Sequence, residues 1–163
     1  MSSTPPPAES PARAGRLSPR LRISFFYGAY FAMSGIHLPF WPVWLSARGV
    51  GPGELGLMLG VAAWARVLAS PLVGNLADLS GERRRPAIWC AGASLLVAAQ
   101  FLWAEGFWPF LALSILFGLA WSPILPFGES LALAGARIGQ FDYGRVRVWG
   151  SVSFMLVNLG AGL

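Results

Sequence analysis

The chain alternates long apolar runs with short turns, and each run approaches the ~20 residues a helix needs to cross a bilayer core. From the N-terminus the runs cover about residues 22–45, 53–77, 86–104 and 107–132. A fifth opens near residue 147 and is still apolar at 163. Lipid offers no partner to backbone amides and carbonyls, so such runs must satisfy them internally, as helices. The fold class expected is all-α integral membrane, with about five transmembrane helices. Short turns make neighbours antiparallel and packed as a bundle.

Composition agrees. The chain is 55% hydrophobic and 12% charged, where a soluble domain carries about twice that charged fraction. A pI of about 10.7 could suit nucleic acid, but every basic residue is Arg, set in short turns beside apolar runs. Basicity of that kind fixes topology and attracts anionic lipid, so no nucleic-acid partner is expected. Cys90 stands alone, which excludes an intrachain disulfide and a cysteine metal cluster. Residues 1–21, rich in Pro, Ser and Ala, read as a disordered cytoplasmic tail. They are not a signal peptide: the apolar run that follows is about twice an h-region, and further runs come after it.

Orientation follows from the arginines. Arg13, Arg16, Arg20, Arg22, Arg83, Arg84, Arg85, Arg137, Arg145 and Arg147 fall on one side, and only Arg48 on the other. Positive turns stay in the cytoplasm, so the N-terminus is expected inside. The outer turns carry Glu54 and Glu105, with Trp41, Trp44, Trp103 and Trp108 as an aromatic belt.

Four polar residues interrupt the runs. Arg66 sits near the middle of the second, where a charge costs about 2.5–3.5 kcal/mol and calls for a polar cavity and a partner. Glu129 is one candidate partner, and the carboxylate of an anionic substrate, gripped bidentately, is another. A structural ion pair with a part of the protein beyond this stretch is the plainer reading. His37, about two-thirds across the first run, can shuttle a proton or bond substrate, or simply bond a neighbouring helix. Glu129 follows Ser122-Pro123-Ile-Leu-Pro126-Phe-Gly128, whose prolines predict a broken or kinked helix. A carboxylate there can load and release a proton. Arg147 is 18 residues further on across a turn, at a similar depth, and can pair with Glu129. Asp142 suits the N-cap of the last helix.

The turn Gly74-Asn-Leu-Ala-Asp78-Leu-Ser-Gly81-Glu-Arg83-Arg84-Arg85-Pro86 resembles the loop between helices two and three of major facilitator superfamily transporters. There the acidic residue is usually followed by a basic one, whereas Leu79 stands here. By that resemblance Gly74, Asp78, Gly81, Arg83 and Arg84 serve conformational gating. An ordinary cytoplasmic loop with positive-inside charge is the alternative.

Leu38-Pro-Phe-Trp-Pro-Val-Trp44, Ala65-Arg66-Val-Leu, Ser122-Pro-Ile-Leu-Pro126 and Asp142-Tyr-Gly-Arg-Val-Arg147-Val-Trp-Gly-Ser151 look like the phenylpropionate permease family. That branch is close to the lactose permease and nucleoside:proton symporter families. The resemblance covers residues 22–163 and implies the N-terminal part of a twelve-helix transporter of a bacterial inner membrane, built as two six-helix halves. It implies that Glu129 and Arg147 hold substrate. Arg66 and His37 join them as candidate site residues. The expected function is proton-coupled uptake of a small aromatic carboxylate such as phenylpropionate, with a sugar or nucleoside proton symporter as the alternative. No cofactor beyond the coupling proton, and no metal, is expected. The fifth run ends within hydrocarbon, so a fragment that needs a missing C-terminal half and transports nothing alone is a further expectation. An enzyme is not expected, because no Ser/His or Cys/His pair, metal spacing or phosphate loop is present.

Overall fold

The computed structural model describes residues 17–80 and 84–162, which form six α-helices. These are α1 (Pro19–Ala47), α2 (Pro52–Ser80), α3 (Arg84–Gln100), α4 (Phe107–Trp121), α5 (Ile124–Arg137) and α6 (Tyr143–Ala161). The expected disordered tail falls mostly on residues 1–16, outside the described residues.

Caps rather than hydropathy set the helix ends, so several helices run past the apolar stretches. Ser18 accepts a hydrogen bond from the Leu21 amide (3.4 Å) and starts α1 with Pro19 in its first turn. That helix continues through Pro39 and Pro42 as one element. At its end the Arg48 guanidinium lies 4.7 Å from the Trp44 ring centroid. Asp142 caps α6 by accepting from the Arg145 amide (3.1 Å), so the helix begins at Tyr143, ahead of the apolar run.

The fourth run breaks where its prolines sit. Between α4 and α5, Ser122 and Pro123 form a turn, and neither Pro123 nor Pro126 can donate a backbone hydrogen bond. Across that turn, Phe107–Arg137 is long and apolar enough to cross a membrane, and it alone qualifies by length and composition among the described residues.

Small residues bring helices together. α1 lies along α6, α2 and α3 flank α4, and α3 also meets α5. At Gly35 a Cβ would stand 3.0 Å from the Phe154 carbonyl oxygen, and at Gly28 it would stand 3.3 Å from Ser153 Oγ. Asn158 adds a cross-helix bond, its Nδ2 donating to the Gly35 carbonyl (3.4 Å). Glycine contacts with a side-chain hydrogen bond are the usual adhesive between helices that have no hydrophobic drive to associate in lipid. Two apolar cores fill the ends of the bundle. Leu45, Met58, Phe101 and Phe110 belong to one, and Tyr27, Ala132 and Val146 to the other. Trp64, Trp89, Trp103 and Trp108 point away from both, each at least 70% exposed.

Candidate functional site

Between the two cores, α1, α2 and α4 enclose a cavity of about 300 Å³. α1 supplies one wall through Tyr30, Ser34, His37 and Trp41, spaced three and four apart so that they share a helix face. Tyr27, one step back on the same stripe, lies outside this cavity.

Arg66 enters from α2. Its Nε donates to the Ala62 carbonyl of its own helix (3.2 Å), and its stem crosses Gly118 of α4. Among the described residues, none that lines the cavity is acidic. Glu129, the candidate partner on α5, is paired instead with Arg147 (3.0 Å).

The remaining walls are aromatic. Tyr30 stacks on Trp121 (4.8 Å between centroids, 12° between planes), and Phe117 stacks on the same indole at 5.7 Å. His37 sits half-buried between Trp41 (5.0 Å) and Phe117 (4.9 Å). Ser34 donates its hydroxyl to the Tyr30 carbonyl (2.9 Å), while the hydroxyls of Ser114 and Ser122 are buried without a partner among the described residues. A planar cation in an aromatic slot can clamp a carboxylate and pack an attached ring.

The second polar group lies where α1, α5 and α6 meet. Arg147 Nη1 donates to Glu129 Oε1 (3.0 Å) and to Tyr143 Oη (2.9 Å). The spacing expectation for Glu129 and Arg147 is therefore met, across the α5–α6 turn. Tyr27 is fully buried against this group, and its hydroxyl faces Tyr143, Glu129 and Arg147.

Sequence reasoning passed over Tyr27, Tyr30, Gly118, Trp121 and Tyr143. The signal for the α1 members was present, because Tyr27, Tyr30, Ser34, His37, Trp41 and Trp44 recur at helical spacing. Gly118 and Trp121 gave none, since their importance comes from α2 and α1 packing against them. Of the gating candidates, Gly81 and Arg83 lie outside the described residues. Gly74 and Asp78 fall on the last turns of α2, where side chains are outside the described set, and Arg84 opens α3 exposed. Among the described residues no group of three or more His, Cys, Asp or Glu is arranged to hold a metal.

The pattern defining the MFS_1 like family matches residues 20–163. The chain belongs to that family. Its members are integral membrane transporters of the major facilitator superfamily and not enzymes. Among curated relatives, an Escherichia coli (strain K12) protein named a probable 3-phenylpropionic acid transporter is 38% identical over 132 residues, covering 80% of this chain and 34% of its own. Another from the same strain, named for nucleoside transport, is 31% identical over 141 residues (85% and 31%). The maltose permease of Geobacillus stearothermophilus is 30% identical over 144 residues (86% and 34%). The chain thus spans about a third of the length of these relatives. No solved structure matches it.

Proposed function

We propose that this MFS_1-like chain belongs to a secondary active transporter that takes up a small aromatic carboxylate, such as phenylpropionate, together with a proton. The observation that carries the reading is the Arg66 guanidinium in an aromatic cavity with no acidic lining residue among the described residues. Such a cation needs a counter-anion, and a substrate carboxylate supplies one. The ring of that substrate packs against Tyr30, Phe117 and Trp121. A cavity of about 300 Å³ lies at the small end of the roughly 300–1,000 Å³ typical of small-molecule sites. Glu129, paired with Arg147, is the group that responds to the proton.

In this reading the chain crosses a bacterial inner membrane as five helices, with α4 and α5 together making one broken crossing. The N-terminus is cytoplasmic, as the distribution of arginines favours. The turn from Gly74 to Arg85 acts in gating. The cavity is closed by the remaining helices of a longer bundle, so the chain alone transports nothing.

Sugar or nucleoside symport is the second reading, favoured by the hydrogen-bonding pair Glu129–Arg147 and by the maltose permease likeness. Competition separates the two. In cells expressing the complete gene product, saturable uptake of labelled 3-phenylpropionate that resists excess maltose and nucleosides supports the first. Inhibition by the neutral solutes, with no saturable acid uptake, replaces it with the second.

A further inference from the structure

Serine hydroxyls inside a helix ordinarily turn back to a carbonyl three or four residues earlier. Ser34, Ser94 and Ser130 do so, donating to the carbonyls of Tyr30, Ala91 and Phe127 at 2.9 Å. Ser114 and Ser122 do not. Their Oγ atoms are buried without a partner among the described residues, and Ser114 as a whole is only 7% exposed. Both residues line the Arg66 cavity. A buried hydroxyl without a bond is costly, and at a cavity wall it gives up nothing by rotating toward a guest.

The two serines stand four residues before and four after Gly118, so they share its stripe of α4, each about 6 Å from it along the axis. Ser122 keeps helical backbone angles (φ −58°, ψ −35°), and its amide donates to the Gly118 carbonyl (3.0 Å), so the stripe extends to it. The Arg66 stem crosses this stripe at its middle, against Gly118.

The cavity has two unlike ends. α2 and α4 run the same way, since Met58 packs with Phe110 and Phe117 while Ala62 and Arg66 meet Gly118. Arg66 Nε turns back to the Ala62 carbonyl, which draws the guanidinium toward the Ser114 end. The stacked rings of Tyr30 and Trp121 lie at the other end, beside Ser122.

We propose that the cavity is built for an aromatic carboxylate that carries a hydroxyl at the far end of its ring. Arg66 holds the carboxylate, with the Ser114 hydroxyl donating beside it. The ring lies along Phe117 and Trp121, and its hydroxyl bonds Ser122. Ser114 and Ser122 are about 12 Å apart along α4, a span that a carboxylate, a short chain and a para-hydroxylated ring cross with a hydrogen bond at each end. A phenol is neutral near pH 7 and both donates and accepts, so it matches a serine hydroxyl and brings no second charge into an aromatic wall. Ser122 sets specificity, because an acid without the ring hydroxyl leaves it buried and unpaired.

This inference rests on the aromatic-carboxylate reading, and one set of measurements separates their failures. Equilibrium binding is measured on membranes holding the complete gene product, near pH 7, with three labelled acids: 3-phenylpropionate, 3-(4-hydroxyphenyl)propionate and the 2-hydroxy isomer. The native protein binds the 4-hydroxy acid about three- to tenfold more tightly than the unsubstituted one, the gain from one net hydrogen bond. The 2-hydroxy isomer, whose hydroxyl sits beside the chain, gains nothing. Ser122→Ala brings the ratio of 4-hydroxy to unsubstituted acid to about one. Ser114→Ala weakens both acids about tenfold, as loss of a bond to a charged group does, and keeps their ratio.

Equal native affinity for the 4-hydroxy and unsubstituted acids overturns the proposal, and so does an equal gain for the 2-hydroxy isomer. These native comparisons decide it should Ser122→Ala fail to accumulate in membranes. An unchanged ratio in Ser122→Ala, or a ratio lost in Ser114→Ala, overturns it as well. Absence of saturable binding of all three acids by the native protein overturns the aromatic-carboxylate reading itself.

Discussion

Gly118 of α4 faces the stem of Arg66 of α2: a Cβ at position 118 would lie 3.3 Å from Arg66 Cγ and 3.5 Å from the Ala62 carbonyl oxygen. The same carbonyl accepts from Arg66 Nε (3.2 Å). The arginine is thus held by its own helix on one side and by the absence of a side chain on the other. This gap lets a long cation lie flat in the cavity rather than turn out of it.

Substitutions at Gly118 should be graded by size. Gly118→Ala moves the Arg66 stem by a few tenths of an ångström, and Gly118→Val by more. Since a misplacement of about 1 Å can cost on the order of 100-fold, the valine variant should raise KM for an aromatic acid well beyond the alanine variant. Uptake kinetics at matched membrane abundance measure this, and equal KM values would remove Gly118 from the account.

The α1–α6 seam should be sensitive to added bulk at Gly35. At Gly35 a new Cβ meets the Phe154 carbonyl oxygen at 3.0 Å, a backbone atom that cannot rotate aside. Gly35→Ala should destabilise the bundle by about 1–3 kcal/mol, the usual range for overpacking. Gly56→Ala, where nothing lies within 4 Å, should be nearly neutral at that position. Thermal unfolding of detergent-solubilised protein compares the two, and similar melting temperatures would contradict the close approach.

The aromatic wall predicts selectivity rather than total affinity. Trp121 stacks with both Tyr30 and Phe117. Removing its ring should weaken binding of an aromatic acid by about three- to tenfold, from the roughly 0.5–1.5 kcal/mol that such ring contacts add. Short aliphatic acids should compete with Trp121→Ala no worse than with the native protein. Parallel losses for both acid types would assign the ring a purely structural part.

Much of this was legible in the sequence, and the reasons differ by element. The break at Ser122–Pro123 follows from a missing backbone donor, a local property that needs no tertiary context. The Glu129–Arg147 pair follows from spacing across one turn. Asp142 announces its cap because a short side-chain acceptor before a helix has few other uses. Arg66 was identifiable as unusual, but its neighbours were not. Their proximity comes from α1, α2 and α4 converging, and no single stretch encodes that. Glu129 is the instructive case: sequence alone allowed it to serve Arg66 or Arg147, and the chain folds so that α6 takes it.

The most direct test of the central claim is the affinity of the complete gene product for 3-phenylpropionate with Arg66 intact, replaced by Lys, and replaced by Ala. A cavity built around a carboxylate predicts saturable binding by the native protein and a loss of about tenfold or more in Arg66→Ala, since hydrogen bonds to charged groups contribute about 1.5–3 kcal/mol. Arg66→Lys should fall between them, because it keeps the charge and loses the bidentate fork. Unchanged affinity in Arg66→Ala, at normal membrane abundance, would contradict the account and take the cavity out of substrate recognition.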